Sequence, residues 1–413
     1  MGSGGGTRRV VRQSGPRKDA RRCNSIMQAV KFCGGGAVPQ AQPGRVLTLA
    51  IGHLVNDMYM NQIQVLLPFF VASGLAVSKG AFLISVFTLT SSLVQPFFGL
   101  LSDRANARWL VCAGTLWMAA FLGLIGWVAG YGKMVALVAM AGLGTAAFHP
   151  QASALVAACG GQRKAFAQAV FIAAGNVGWS LTPLLVVPLV QAWGMRVTPV
   201  FIVPGALASL ALWRATRGIP LPPRKSASAM LPALRHTWGE LARLMLVVAF
   251  RSMTYFGLIS FIPLYLRHKD IPLGASSRLV FLMLFAGSLG GLAGGYLADR
   301  IGRKPVIVIS LLTCCPVLYL FLHTTGPAST VCLGLAGALL LASFSVTVAA
   351  AHQVISQNAG LASGLMLGFG VGIGGLGVGL MGVLVDHTGI VPAMKVLAGL
   401  PLLAGLLGLC LRK

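Results

Sequence analysis

The chain has 413 residues, 56% of them apolar with 53 glycines besides, and only 9% are charged. A soluble domain carries roughly 25% charged residues and could not cover its surface with so few; the mean hydropathy of +0.83 excludes a soluble globule in the same way. The net charge of +25 comes from 32 basic against 7 acidic residues, yet the basic residues sit in short gaps between apolar runs, which excludes a nucleic-acid-binding domain as their reason.

Residues 1–45 hold nine basic residues and one acid. They read as a basic, disordered cytoplasmic tail that touches anionic lipid; an organelle transit peptide and a start at Met27 stand as alternatives. From residue 46 the chain runs through twelve apolar stretches, each of about 20 residues and able to cross a bilayer as a helix. Six cover 46–74, 80–101, 109–130, 133–158, 165–192 and 197–214; six more cover 238–266, 277–298, 305–324, 328–352, 360–385 and 390–411. The runs are too long for outer-membrane barrel strands and lack their alternation. Between the two sets, the segment from Arg217 to Ser226 mixes proline, basic and small polar residues and reads as a linker. The expected architecture is an all-α membrane protein of twelve transmembrane helices. Two six-helix bundles, 46–216 and 237–413, are joined by a cytoplasmic linker over 217–236.

With the N-terminus inside, 24 basic residues fall on the cytoplasmic side and 7 outside, and Arg251 is left within a span. Cytoplasmic loops carry the excess of Lys and Arg, so both termini are expected in the cytoplasm. The loop after the second span recurs after the eighth: Gly99, Asp103 and Arg104 match Gly295, Asp299 and Arg300 at an offset of 196 residues. Parallel six-span repeats around a central site describe alternating-access carriers.

These loops resemble the signature loop of the major facilitator superfamily. The second copy, Gly295-Tyr296-Leu297-Ala298-Asp299-Arg300-Ile301-Gly302-Arg303-Lys304, is nearly complete; the first lacks the internal glycine and one basic residue. Within the superfamily the chain is similar to the fosmidomycin resistance protein family of drug efflux carriers. The residues that carry this are His53-Leu54-Val55-Asn56-Asp57 in span 1, Phe148-His149-Pro150 in span 4, and the stretch from Ala362 to Phe369, Gly374 to Gly377, and Asp386-His387-Thr388 in and after span 11. The resemblance runs from residue 46 to the C-terminus. It implies the major facilitator fold, a place in the cell inner membrane and drug efflux by antiport. Two features depart from proton-coupled exporters of the superfamily. Span 4 has His149 where an arginine motif is common, and the span 5 glycine-proline motif is reduced to Gly175, Asn176, Gly178 and Pro183.

Asp57 is the one acid of seven that falls deep in a span. A carboxylate at the bilayer centre costs about 2.5–3.5 kcal/mol, so it is protonated, paired or functional. Asp57 is the first proton-coupling candidate. His149 is the second, because histidine titrates near physiological pH; a packing histidine at the Pro150 bend is an equal reading. Arg251, deep in span 7, is the substrate-binding candidate, since a guanidinium can hold a carboxylate or phosphonate by two parallel hydrogen bonds. Its alternatives are neutralising Asp57 and snorkelling to the interface. His53, one turn before Asp57, with Asn56 and Asn61, completes the expected substrate-binding set. Gly99, Asp103, Arg104, Gly295, Asp299, Arg300 and Arg303 are expected to form a cytoplasmic latch that stabilises the outward-facing state. The glycines of span 11, from Gly368 to Gly379, read as a close-packing face.

No serine–histidine–acid set, metal cluster or phosphate loop stands in a plausible position. None of the eight cysteines forms a CxxC pair. An enzyme, a cofactor, a metal, a disulfide and a nucleic-acid partner are therefore not expected. The expected function is proton-coupled efflux of a small anionic, fosmidomycin-like compound by a monomer in the lipid bilayer. An importer or facilitator of an organic anion is the alternative, and a membrane-embedded enzyme a more distant one.

Overall fold

Backbone polar groups in hydrocarbon must be satisfied within the segment, and helices achieve this residue by residue. The computed structural model describes residues 1–2, 41–105, 108–219, 230–354 and 359–411, and among these it contains helices and no strand. The first six spans are α1 (Pro43–Val65) with α2 (Leu67–Ala72), α3 (Val77–Leu93) with α4 (Gln95–Ala105), α5 (Trp109–Gly123), α6 (Tyr131–Cys159), α7 (Lys164–Trp193) and α8 (Ile202–Thr216). The second six are α9 (Met230–His268), α10 (Leu273–Ile301), α11 (Arg303–His323), α12 (Gly326–Val354), α13 (Ala359–Thr388) and α14 (Ile390–Leu409). Spans 1 and 2 each break once, at Leu66 and Val94, two residues before Pro68 and Pro96. Proline has no N–H to continue the ladder and is best accommodated in the first turn of a new helix.

Ten described helices are long and apolar enough to cross a bilayer, and α5 is a shorter apolar helix. The twelfth span begins with α1, 23 residues long, whose polar stripe lowers its hydropathy. The all-α, two-times-six architecture is therefore present. Residues 3–40 of the expected tail, and 220–229 of the expected linker, lie outside the described residues. Helix α9 runs from Met230, and its apolar, membrane-crossing stretch from Trp238 to His268.

Within the first half, α1 packs on α7 and α8, and α5 on α6; within the second, α10 and α11 pack on α12, and α9 on α14. The halves meet along two seams, α3 with α13 and α7 with α10. Span 11 turns one glycine face to the other half: Gly372 lies against Ser92, Gly375 against Thr88 and Gly379 against Ser85. A methyl on Gly375 would fall on the Thr88 hydroxyl, so only glycine permits this approach. The Ser85 hydroxyl then donates across the seam to the Gly375 carbonyl at 2.7 Å. Gly370, Gly374 and Gly377 face α9 of their own half instead. At the end of this seam Asp386 accepts from the Val77 and Ser78 N–H groups at 3.0 and 2.9 Å. A carboxylate of one half thus caps the N-terminus of a helix of the other, where unsatisfied N–H groups favour an anion.

The signature loops lie at the other end. Arg303 donates to the Ala349 carbonyl at 3.1 Å, within its own half. Arg300 lies over the Tyr296 ring at 4.4 Å, and Asp299 is exposed. Gly99 and Gly295 sit in α4 and α10. The side chains of Asp103 and Arg104 lie outside the described residues.

Candidate functional site

In α1 the segment from His53 to Gln64 sets a polar group on nearly every turn of a helix that is otherwise apolar. His53 and Asp57, four residues apart, share a face. A buried carboxylate needs partners, and Asp57, 7% exposed, has two histidines and the Trp179 side chain. Its Oδ2 lies 3.3 Å from His53 Nε2, and its Oδ1 lies 3.1 Å from His149 Nε2, brought across from α6. The outer nitrogens are anchored as well: His53 Nδ1 donates to the Phe171 carbonyl at 2.7 Å and His149 Nδ1 to the Thr145 carbonyl at 3.1 Å. The His53 ring stacks on Phe171 with centroids 3.9 Å apart and meets His149 edge-on at 5.2 Å.

Helix α7 closes this set from one side, and Gly175 lets it do so. A Cβ there would lie 2.5 Å from both Asp57 Oδ2 and His53 Cε1. Gly175 was visible in the sequence only as a remnant of the span 5 motif; its purpose is the close approach. One ring nitrogen of each histidine and one carboxylate oxygen lie within 4.8 Å of one another. That is compact enough for a cation; of the two histidine contacts to Asp57, the one from His149 Nε2 is a hydrogen bond.

Arg251, on α9, is 3% exposed. Its Nη2 donates to Ser252 Oγ at 3.1 Å and its guanidinium lies 4.7 Å from the Phe344 ring centroid of α12. Nε and Nη1 meet no acceptor. Arg251 forms no ion pair with Asp57, whose two oxygens are taken by the histidines. Tyr255, one turn further along α9, is within electrostatic reach of both Arg251 and Asp57. Trp179 of α7 packs on Tyr255 at 6.4 Å and on Phe256 at 5.6 Å, an aromatic contact between the halves. Gln64 accepts from Ser260 at 3.4 Å, a second such contact.

The expected substrate-binding residues therefore separate. His53 joins Asp57 and His149. Asn61 donates to the Trp179 carbonyl at 2.8 Å, fixing the backbone beneath the aromatic contact. Asn56 is fully buried, and neither end of its amide has a partner. The Phe171 and Thr145 carbonyls, Ser252, Phe344, Tyr255 and Trp179 were not foreseen. Backbone acceptors and aromatic walls leave no signature in one sequence.

Residues 49–291 and 244–413 match the family profile of the Major Facilitator Superfamily. The chain is 30% identical over 367 residues to the fosmidomycin resistance protein of Escherichia coli (strain K12), covering 86% of this chain and 89% of that protein. It is 28% identical over 372 residues to YfnC, an uncharacterised transporter of the same superfamily from Bacillus subtilis (strain 168), covering 87% and 90%. Among solved structures it shares its fold with a bacterial homologue of the human lysosomal transporter Spinster in an inward-facing, occupied conformation. The TM-score is 0.78 at 16% identity, over 90% of this chain and 97% of the other. With the twelve-span fold, the profile match and these relatives together, the chain belongs to the Major Facilitator Superfamily and is a multi-pass membrane transporter, not an enzyme.

Proposed function

We propose that the protein exports a small anionic compound of the fosmidomycin class in exchange for protons. Asp57 and His149 carry the proton, and Arg251 binds the anion. The observation that carries this reading is the contrast between a carboxylate whose oxygens are both met by histidines and a guanidinium with two free donors, each buried. Ionisable groups inside a membrane protein mark ion and substrate paths. A guanidinium without a counter-ion is completed by a ligand that brings one. The likeness to the fosmidomycin resistance protein supports the same substrate class. The protein works as a monomer in the cell inner membrane, with both termini in the cytoplasm and the two bundles rocking about the central site.

The decisive test is flux of fosmidomycin in vesicles with and without an imposed pH gradient. Accumulation that follows the gradient is expected; flux indifferent to it contradicts proton coupling. Uptake or facilitated passage of an organic anion is favoured by the same unpaired Arg251, and the direction of gradient-driven flux separates it from export. In the outward-facing state, the signature loops latch the cytoplasmic end through Gly99, Asp103 and Arg104 with Gly295, Asp299, Arg300 and Arg303. Asp103→Ala and Asp299→Ala should lower the labelling of a cysteine placed on the external side; labelling equal to the unaltered protein contradicts the latch.

A further inference from the structure

We infer that His53, Asp57 and His149 form a binding site for one divalent transition-metal ion, with Zn²⁺ the best fit. The inference goes beyond proton coupling, because it gives the same three side chains a second and competing occupant. The geometry begins at the outer ring nitrogens. A carbonyl oxygen accepts and never donates. His53 Nδ1 faces the Phe171 carbonyl and His149 Nδ1 faces the Thr145 carbonyl, so both Nδ1 atoms carry hydrogen. A neutral ring of that tautomer presents its lone pair at Nε2. It is Nε2 of both rings that converges on Asp57, at 3.3 and 3.1 Å. The His149 contact is a hydrogen bond; the His53 contact is an approach of charge-pair length alone. A buried carboxylate is either paired or coordinates a metal, and a metal ion serves all three groups at once.

The distances suit such an ion. Zn²⁺ binds imidazole nitrogen at about 2.0–2.1 Å and carboxylate oxygen at about 2.0–2.2 Å, so neighbouring ligands at the tetrahedral angle lie about 3.4 Å apart. Both histidine–carboxylate separations are close to this, and one nitrogen of each ring and one carboxylate oxygen fall within 4.8 Å of one another. The surroundings match as well. Metal-binding histidines donate the second ring N–H to a carbonyl or a carboxylate, and ligating carboxylates are hydrogen-bonded in turn. Here the carbonyls are those of Phe171 and Thr145, and the Trp179 side chain donates to Asp57. The His53 ring is held flat against Phe171, with centroids 3.9 Å apart.

Two imidazoles and one carboxylate select Zn²⁺, Co²⁺ or Ni²⁺ over Mg²⁺ and Ca²⁺, which prefer all-oxygen sites. Three protein ligands leave the fourth position to water. The His149 side chain, 22% exposed against 8% for His53, marks the open side. Among the described residues this is the one group of three histidine, cysteine or acidic side chains so placed. Spacing along the chain conceals it, since His149 stands 92 residues from Asp57.

The test is binding of Zn²⁺ and Co²⁺ to the full-length, tag-free protein in detergent, with no substrate and no gradient. The unaltered protein should bind one Zn²⁺ that excess Mg²⁺ does not displace, and Co²⁺ in its place should show the visible absorption of a four-coordinate ion. Absence of saturable binding, or displacement by Mg²⁺, would overturn the inference. Loss of an outer partner alone costs about 10–100-fold in metal affinity, so His53→Gln and His149→Gln should each cost more than about a hundredfold. His323→Gln, at an exposed helix end, should cost nothing. Equal affinity in the unaltered protein and His53→Gln would also overturn it. Should a variant fail to fold, X-ray absorption of Zn²⁺ in the unaltered protein decides. Nitrogen and oxygen at about 2.0–2.1 Å, with scattering from two imidazole rings, is expected; sulfur ligands or an all-oxygen shell would contradict the site. Zn²⁺ bound by a protein whose flux ignores the pH gradient sustains this inference and contradicts proton coupling alone. Gradient-driven flux in a protein that binds no Zn²⁺ contradicts this inference alone.

Discussion

In the first half of the molecule, both oxygens of Asp57 face histidines and each histidine is anchored on a backbone carbonyl. In the second half, Arg251 is as deeply buried, yet only one of its three guanidinium nitrogens has a hydrogen-bond partner. A buried charge must be compensated. The first half compensates its charge with its own side chains, so its charge changes only as cations enter or leave. The second half offers Arg251 no counter-ion among the described residues. On the proposed reading those are the requirements of a coupling site and of a substrate site respectively, and the two groups do not pair with one another.

The comparison can be broken at either side. Asp57→Asn preserves size and hydrogen bonding but removes the releasable proton. The largest effect is expected here: gradient-driven accumulation in vesicles falls to background while the protein assembles normally and some substrate exchange persists. Arg251→Gln comes next. Removing a charge-assisted contact to the anion costs about 2–3 kcal/mol, or roughly a hundredfold in affinity. Arg251→Lys should recover little of it, because an ammonium cannot offer two parallel donors. Adding Asp57→Asn to Arg251→Gln should restore no binding; recovery would mean that Arg251 serves only to offset Asp57.

Smaller effects lie along the seam that holds the halves together. Gly375→Ala should force α3 and α13 apart at Thr88, an overpacking that costs about 1–3 kcal/mol. A lowered Tm in detergent and raised labelling of a cysteine near Asp386 would report it; an unchanged Tm would contradict the close approach. Asp386→Asn weakens a helix cap worth about 1 kcal/mol, so external labelling should rise by about fivefold. No rise would mean that the cap does not bear on opening.

Much of the fold could be read from the chain because hydrophobic runs of span length are a strong signal. The helices observed match the twelve expected runs closely, and the repeat of Asp103-Arg104 as Asp299-Arg300 already implied two halves. Asp57 and Arg251 stood out for a similar reason, since charge in an apolar run is costly wherever the helix ends up. Their partners did not stand out. His53 is one turn from Asp57 and its pairing could be expected from helix geometry, but the return of His149 from a span 92 residues away depends on how α1 and α6 cross. The same holds for Asp386, whose carboxylate accepts from backbone N–H groups 308 and 309 residues distant. Depth is written in the local sequence; approach between helices is decided by packing, and its trace in the sequence is glycine, as at Gly175 and Gly375.

The division of labour between the two halves is tested most directly by binding of fosmidomycin to purified unaltered protein, Asp57→Asn and Arg251→Gln, measured side by side without a gradient. Asp57→Asn should retain the affinity of the unaltered protein, and Arg251→Gln should lose roughly a hundredfold. Equal losses in both variants, or full affinity in Arg251→Gln, would contradict a proton site in one half and an anion site in the other.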